Sequence, residues 1–152
     1  MTRFRLLSLL LALCLLFALF GCQKSGQGDE KTATAANVTL SLPADVYYIS
    51  ISLIEEDGGG YAPIPQEQIG VIRQLTEEAN DCVLTPLPAI TDRTFDYDHC
   101  FEISFYTETS YRTVSVDKSG LICAGSRAYT LREGVLTYDH VAEYYNAFRT
   151  EE

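Results

Sequence analysis

Phe95-Asp96-Tyr97-Asp98-His99-Cys100-Phe101-Glu102-Ile103-Ser104-Phe105 is the longest period-two alternation in the chain. Phe95, Tyr97, His99, Phe101, Ile103 and Phe105 share one phase, and Asp96, Asp98, Cys100, Glu102 and Ser104 share the other. Successive side chains of a strand point to opposite faces. The pattern therefore predicts a long strand with one aromatic face and one acidic, polar face, broken, if anywhere, near Asp98.

Working outward from this strand, residues 111–116, 121–124 and 127–131 read as further strands. Asp117-Lys118-Ser119-Gly120 forms the hairpin turn between the first two. Tyr138, Val141, Tyr145 and Phe148 keep helical spacing, with Thr137 or Asp139 as the cap. Upstream, residues 83–92 read as a Pro-bearing connection. Before them Ile69, Ile72, Leu75, Ala79 and Cys82 fall on one helical face. Pro63 and Pro65 prepare the start of that helix, and Glu67 complements its dipole. Tyr47, Ile49, Ile51 and Leu53 alternate with Ser50 and Ser52 as the clearest half-buried strand, which ends in the loop 55–60. Val38, Leu40 and Leu42 form a short strand stopped at Pro43. Strand runs with one helix inserted and one appended predict an α+β domain, a mostly antiparallel sheet of five or six strands with helices on one face.

The N-terminus has the build of an export signal. Arg3 and Arg5 form a positive region, and residues 6–20 form an apolar one that falls short of the roughly 20 residues a spanning helix needs. Leu19-Phe20-Gly21-Cys22 follows. In these residues the chain resembles the bacterial lipoproteins, whose signal ends in Leu, a small residue, Gly or Ala, then Cys; Phe20 departs from the usual Ala or Ser. The resemblance implies cleavage before Cys22, a diacylglyceryl thioether on its sulfur, palmitate, and residence on the extracytoplasmic face of the cell membrane. Two acyl chains give stable membrane residence where one is marginal. Two rival readings of Cys22 exist. An ordinary secretory site would use the small residues Ala33-Thr34-Ala35, far beyond the apolar region, and an uncleaved anchor would leave Cys22 as a chance thiol.

The expected organisation is a signal peptide over 1–21, a Gly-, Ser- and Thr-containing tether over 22–37, and a single α+β domain over 38–152. The layout of that domain is similar to small lipoprotein domains of Gram-positive anaerobes, a likeness that brings no activity with it. The whole chain carries a net charge of −10. Removing the signal with Arg3 and Arg5 leaves nine basic against 21 acidic side chains, a net of −12. Such a surface repels phosphate backbones, so nucleic acid is not an expected partner and membrane attachment falls to the lipid.

Asp96, Asp98, His99 and Cys100 are the one cluster of metal-ligand residue types, but on a strand His99 points away from the other three. No metal or cofactor is expected. The sequence has no nucleophile elbow, zinc-protease helix or phosphate loop. A Cys100–His140 dyad is permitted by composition and supported by nothing local. The expectation is therefore a non-enzymatic domain, with a small envelope hydrolase or metal-binding protein as the lesser alternative. Cys82, Cys100 and Cys123 are compatible with a Cys82–Cys100 disulfide and equally with three buried thiols. All ten tyrosines fall in the domain, and Tyr106 and Tyr111 flank the turn 107–110. Tyrosine offers a rigid, amphipathic contact surface, although a chain without Trp also needs it for the core. The expected function is a membrane-anchored binding or interaction module for an envelope protein, peptide or glycan. The alternative is an inhibitor or accessory subunit of an envelope system.

Overall fold

The computed structural model describes residues 36–150. The signal over 1–21, Cys22 and most of the expected tether lie outside the described residues. Seven strands form one antiparallel sheet: β1 Tyr48–Ile54, β2 Gly60–Ile64, β3 Val83–Pro86, β4 Cys100–Tyr106, β5 Tyr111–Asp117, β6 Leu121–Ala124 and β7 Arg127–Glu133. Their order across the sheet is β2-β1-β4-β5-β6-β7-β3. Helix α1 (Ile69–Asn80), entered through a 3-10 turn at Gln66–Gln68, is inserted between β2 and β3, and helix α2 (Tyr138–Phe148) closes the chain. The α+β class with one inserted and one C-terminal helix is as expected, with seven strands in place of five or six.

The difference in strand number has a physical cause. β2 and β3 are the two edges of the sheet, and both contain a proline, Pro63 and Pro86. Proline is tolerated where its missing N–H would face away from the ladder, so its presence hides an edge strand from a periodicity reading. The expected strand over 38–42 reduces to a single bridge in which Val38 and Leu84 exchange two 2.9 Å hydrogen bonds. Ser41, at φ 52°, turns the chain out of extended geometry just beyond it. The strand predicted from Phe95 begins at Cys100 instead. The Asp96 carboxylate accepts from the Asp98 N–H at 3.0 Å, and this local turn competes with the ladder.

One face of the sheet carries the main core. Ile49 and Ile51 of β1, Phe101, Ile103 and Phe105 of β4, and Val114 and Val116 of β5 are buried there. Ile72, Leu75 and Ala79 of α1 and Val141 and Tyr145 of α2 cover them. Each such side chain contributes about 1.5–3 kcal/mol when fully buried. Ile69 stands exposed, and Thr76 takes a core position by donating its hydroxyl to the Ile72 carbonyl at 2.7 Å. Thr137 caps α2, its hydroxyl accepting from the His140 N–H at 3.3 Å. Gly60 brings β2 and α2 close, since a Cβ there would overlap the Tyr145 hydroxyl. The segment after Val38 is clasped to the end of α1, where the Asn80 amide accepts from the Leu42 N–H at 2.6 Å and donates to its carbonyl at 3.1 Å.

The opposite face is only partly covered. Phe95, Cys100, Leu121 and Cys123 form a second, smaller cluster, with Leu87 and Ala128 packed against it. The buried Asp117 carboxylate holds this cover down, accepting from the N–H groups of Asp96 (3.0 Å) and Leu121 (2.8 Å) and from the Ser119 hydroxyl (2.8 Å). Beyond this cover the sheet face has no second layer among the described residues.

A candidate binding surface on the open sheet face

Strand register assembles a row of tyrosines on the open face. Tyr48 of β1 lies opposite Tyr106 of β4, which lies opposite Tyr111 of β5. Their ring centroids are 5.3 Å and 5.6 Å apart, the second pair stacked at 28°. From β2, Tyr61 extends the row, its hydroxyl 2.5 Å from that of Tyr48. Tyr61 is 45% exposed and Tyr111 64%, so both ends of the row meet solvent. Burial, the Tyr61 hydrogen bond and the neighbouring phenols push the Tyr48 phenol up to about 12, which keeps it a neutral partner at any physiological pH.

The turn expected between Tyr106 and Tyr111 is built by Thr107. Its N–H donates to the Ser110 carbonyl at 2.8 Å, and its hydroxyl meets the same carbonyl and the Ser110 N–H, both at 3.1 Å. Between the tyrosines the floor is made of small hydroxyl residues, among them Ser104 and Thr113, whose oxygens lie 3.1 Å apart. A groove of about 450 Å³ opens beside them, bounded by Tyr97, Glu102, Tyr111 and Cys123 and reaching Ile54 at one end. No ion pair to Glu102 is present among the described residues, and its side chain borders the groove.

The other sequence-predicted candidates fall apart or turn structural. Asp96 and His99 meet at 3.0 Å between carboxylate oxygen and Nδ1. Slight desolvation pushes the Asp96 carboxyl up, but hydrogen bonds from Asp98 and His99 outweigh it and hold it below the ordinary range. Cys100 points inward, its thiol raised to about 11, first by burial and then by the carboxylates of Glu102, Asp117 and Asp96. No three His, Cys, Asp or Glu side chains converge as cation ligands among the described residues. Cys100 belongs to the small cluster on the open face, whereas His140 sits on α2 and binds Glu78, so the two are not brought together. Cys82 packs in the main core across the sheet from Cys100, and all three described cysteines are free and buried.

Two polar constellations escape the sequence reading. One is Asp117, whose position in a hairpin turn signals exposure rather than burial. The other joins the helices: Glu78 of α1 accepts from His140 at 2.9 Å and from Tyr144 at 3.0 Å, both on α2, and from Gln74 at 2.8 Å. Burial pushes the Glu78 carboxyl up, but these three hydrogen bonds together bring it below its ordinary value. The i, i+4 spacing of Gln74 and Glu78 was the one local signal for this contact. No protein-family model, curated protein or solved structure matches this chain.

Proposed function

We propose that this protein is a lipoprotein, anchored through Cys22 to the extracytoplasmic face of the cell membrane, whose domain is a non-enzymatic binding module. The open face of the sheet is its binding surface, for a peptide or glycan of the cell envelope. The row of Tyr61, Tyr48, Tyr106 and Tyr111 beside the groove is the observation that carries this reading. Rigid phenol rings lose little conformational entropy on contact and offer both an apolar body and a hydroxyl. The nearby Cys100 thiol is buried and its pKa is raised, which supports recognition over nucleophilic chemistry.

Two measurements test the proposal. Palmitate labelling and membrane fractionation should both be lost in Cys22→Ala; retained label and membrane residence would refute the anchor. Binding to a panel of peptidoglycan fragments and extended peptides should be weakened about tenfold or more by Tyr61→Ala/Tyr111→Ala. Stability should change little, since each residue is exposed, by about 0.5 kcal/mol per site. Unchanged binding in that variant would remove the tyrosine face from consideration.

A further inference from the structure

We infer that the groove on the open face takes a neutral glycan, whose hydroxyl groups meet Glu102 and Ser115 and whose C–H faces pack on Tyr97 and Tyr111. The inference rests on the reading of the open face as the binding surface and selects one of the two ligand classes named for it. An extended peptide gains its affinity by adding to a strand edge, and the edges here are occupied. Ala124 lies opposite Val114, so Gly125 of the β6–β7 turn stands opposite Thr113 and only Tyr111 of β5 is left beyond it. The outer edge of β2 contains Pro63, and its Tyr61 carbonyl accepts from the Thr150 N–H at 3.4 Å. The outer edge of β3 contains Pro86 and exchanges two bonds with Val38. Recognition in the groove therefore falls to side chains.

Strand register sets Glu102 directly opposite Ser115 on the open face, a cross-strand pair with Cβ atoms about 5 Å apart. Among the described residues the side chains of Glu102, Ser115 and Arg112 have no hydrogen-bond partner, and neither Glu102 nor Arg112 has an ion pair. Ser115 is only 8% exposed, yet no buried side-chain oxygen among the described residues lacks a partner. Its hydroxyl is thus the part that meets the groove it lines. A carboxylate that only accepts, beside a hydroxyl that donates and accepts, fits neighbouring hydroxyl groups of a sugar ring. Ser104 and Thr113 differ, because their oxygens are already paired with each other at 3.1 Å.

Ring surfaces complete the site. Tyr111 is stacked on Tyr106, which leaves its second face toward the groove that it borders. Tyr97, 61% exposed, is held by an edge contact with Phe95 at 4.8 Å and by its hydroxyl 3.4 Å from the Cys123 thiol. Rings fixed in this way suit the C–H face of a sugar. Charge points to the same ligand. Among the described residues that line the groove, Glu102 and Arg112 alone are charged, one of each sign. The groove thus has no net charge to match, and a neutral ligand escapes repulsion by the acidic surface.

Calorimetric titration of the detergent-solubilised full-length protein tests this, with neutral tetrasaccharides of glucose, mannose, galactose and N-acetylglucosamine as probes. At least one should bind, and raising salt from about 50 to about 500 mM should change its Kd by less than about twofold. Glu102→Gln and Ser115→Ala should each weaken that binding about fivefold or more, with thermal melting as in wild type, since neither side chain has a partner within the fold. No binding of any probe at about 5 mM, or variants that bind as wild type does, would overturn the inference. In that event, peptide binding that depends on Tyr61 and Tyr111 would keep the open face as the binding surface; loss of that dependence as well would remove both.

Discussion

The Asp117 carboxylate, buried at the mouth of the β5–β6 turn, serves donors from two separate stretches of chain: Asp96 in the covering loop, and Ser119 and Leu121 in the hairpin. Asp117→Ala leaves the buried Leu121 N–H and the part-buried Asp96 N–H unpaired and should cost about 2 kcal/mol in urea unfolding. A loss under about 0.5 kcal/mol would show that water replaces the carboxylate freely. Glu78 makes a different kind of statement. Its folded-state pKa is lowered relative to the unfolded chain, so the folded protein binds fewer protons there. The stabilisation is fully present above the ordinary carboxylate value near 4.5 and is lost as pH falls through the depressed value. Wild type should therefore exceed Glu78→Gln in stability at neutral pH, and the gap should narrow as pH falls below the ordinary carboxylate value near 4.5. A gap that is constant between neutral and acidic pH would contradict the hydrogen-bonded assignment.

At the scale of elements, α2 and β2 meet where Gly60 leaves room for the Tyr145 ring. Gly60→Ala should destabilise by about 2 kcal/mol, and Tyr145→Phe in the same chain should recover part of that loss. Differential scanning calorimetry of the two variants decides it. The elements that could be read in advance were those with an uninterrupted period. Ile49 and Ile51, Phe101 to Phe105, and Val141 with Tyr145 all lie on the core face that their spacing assigns. The edge strands β2 and β3 were hidden by Pro63 and Pro86, and the stretch before Cys100 looked extended because the turn made by Asp96 leaves the alternation intact. The candidate surface was legible only in its local half. Tyr106 and Tyr111 flank one hairpin, but Tyr48 and Tyr61 join them through strand pairing distant in sequence, which periodicity does not encode.

For the molecule as a whole, the domain begins where Asn37 and Val38 meet β3, through the Thr85 hydroxyl (3.1 Å) and the Leu84 backbone. A chain starting at Ala35 should show one cooperative thermal transition, whereas a start at Ser41 should lower the midpoint by several degrees through loss of the bridge and of Leu40. Equal midpoints would mean that Val38 and Leu40 add nothing.

The strand order also dictates how the sheet comes together in time. β4, β5, β6 and β7 are consecutive neighbours joined by short turns, so each pairing closes a small loop. Pairing Tyr48 with Tyr106, or Leu84 with Leu131, instead closes loops of about 50 residues and carries a greater entropic cost. Loop-closure cost therefore predicts that the four-strand meander forms first, that the β1–β2 hairpin docks on it, and that β3 pairs last with Val38 outside it. The reverse order governs opening, so the Leu84 amide should exchange with solvent through a local fluctuation while Ile103 exchanges only on global unfolding. By the same argument the outer strand should be the molecule's release seam, parting first under heat or load while the meander stays whole.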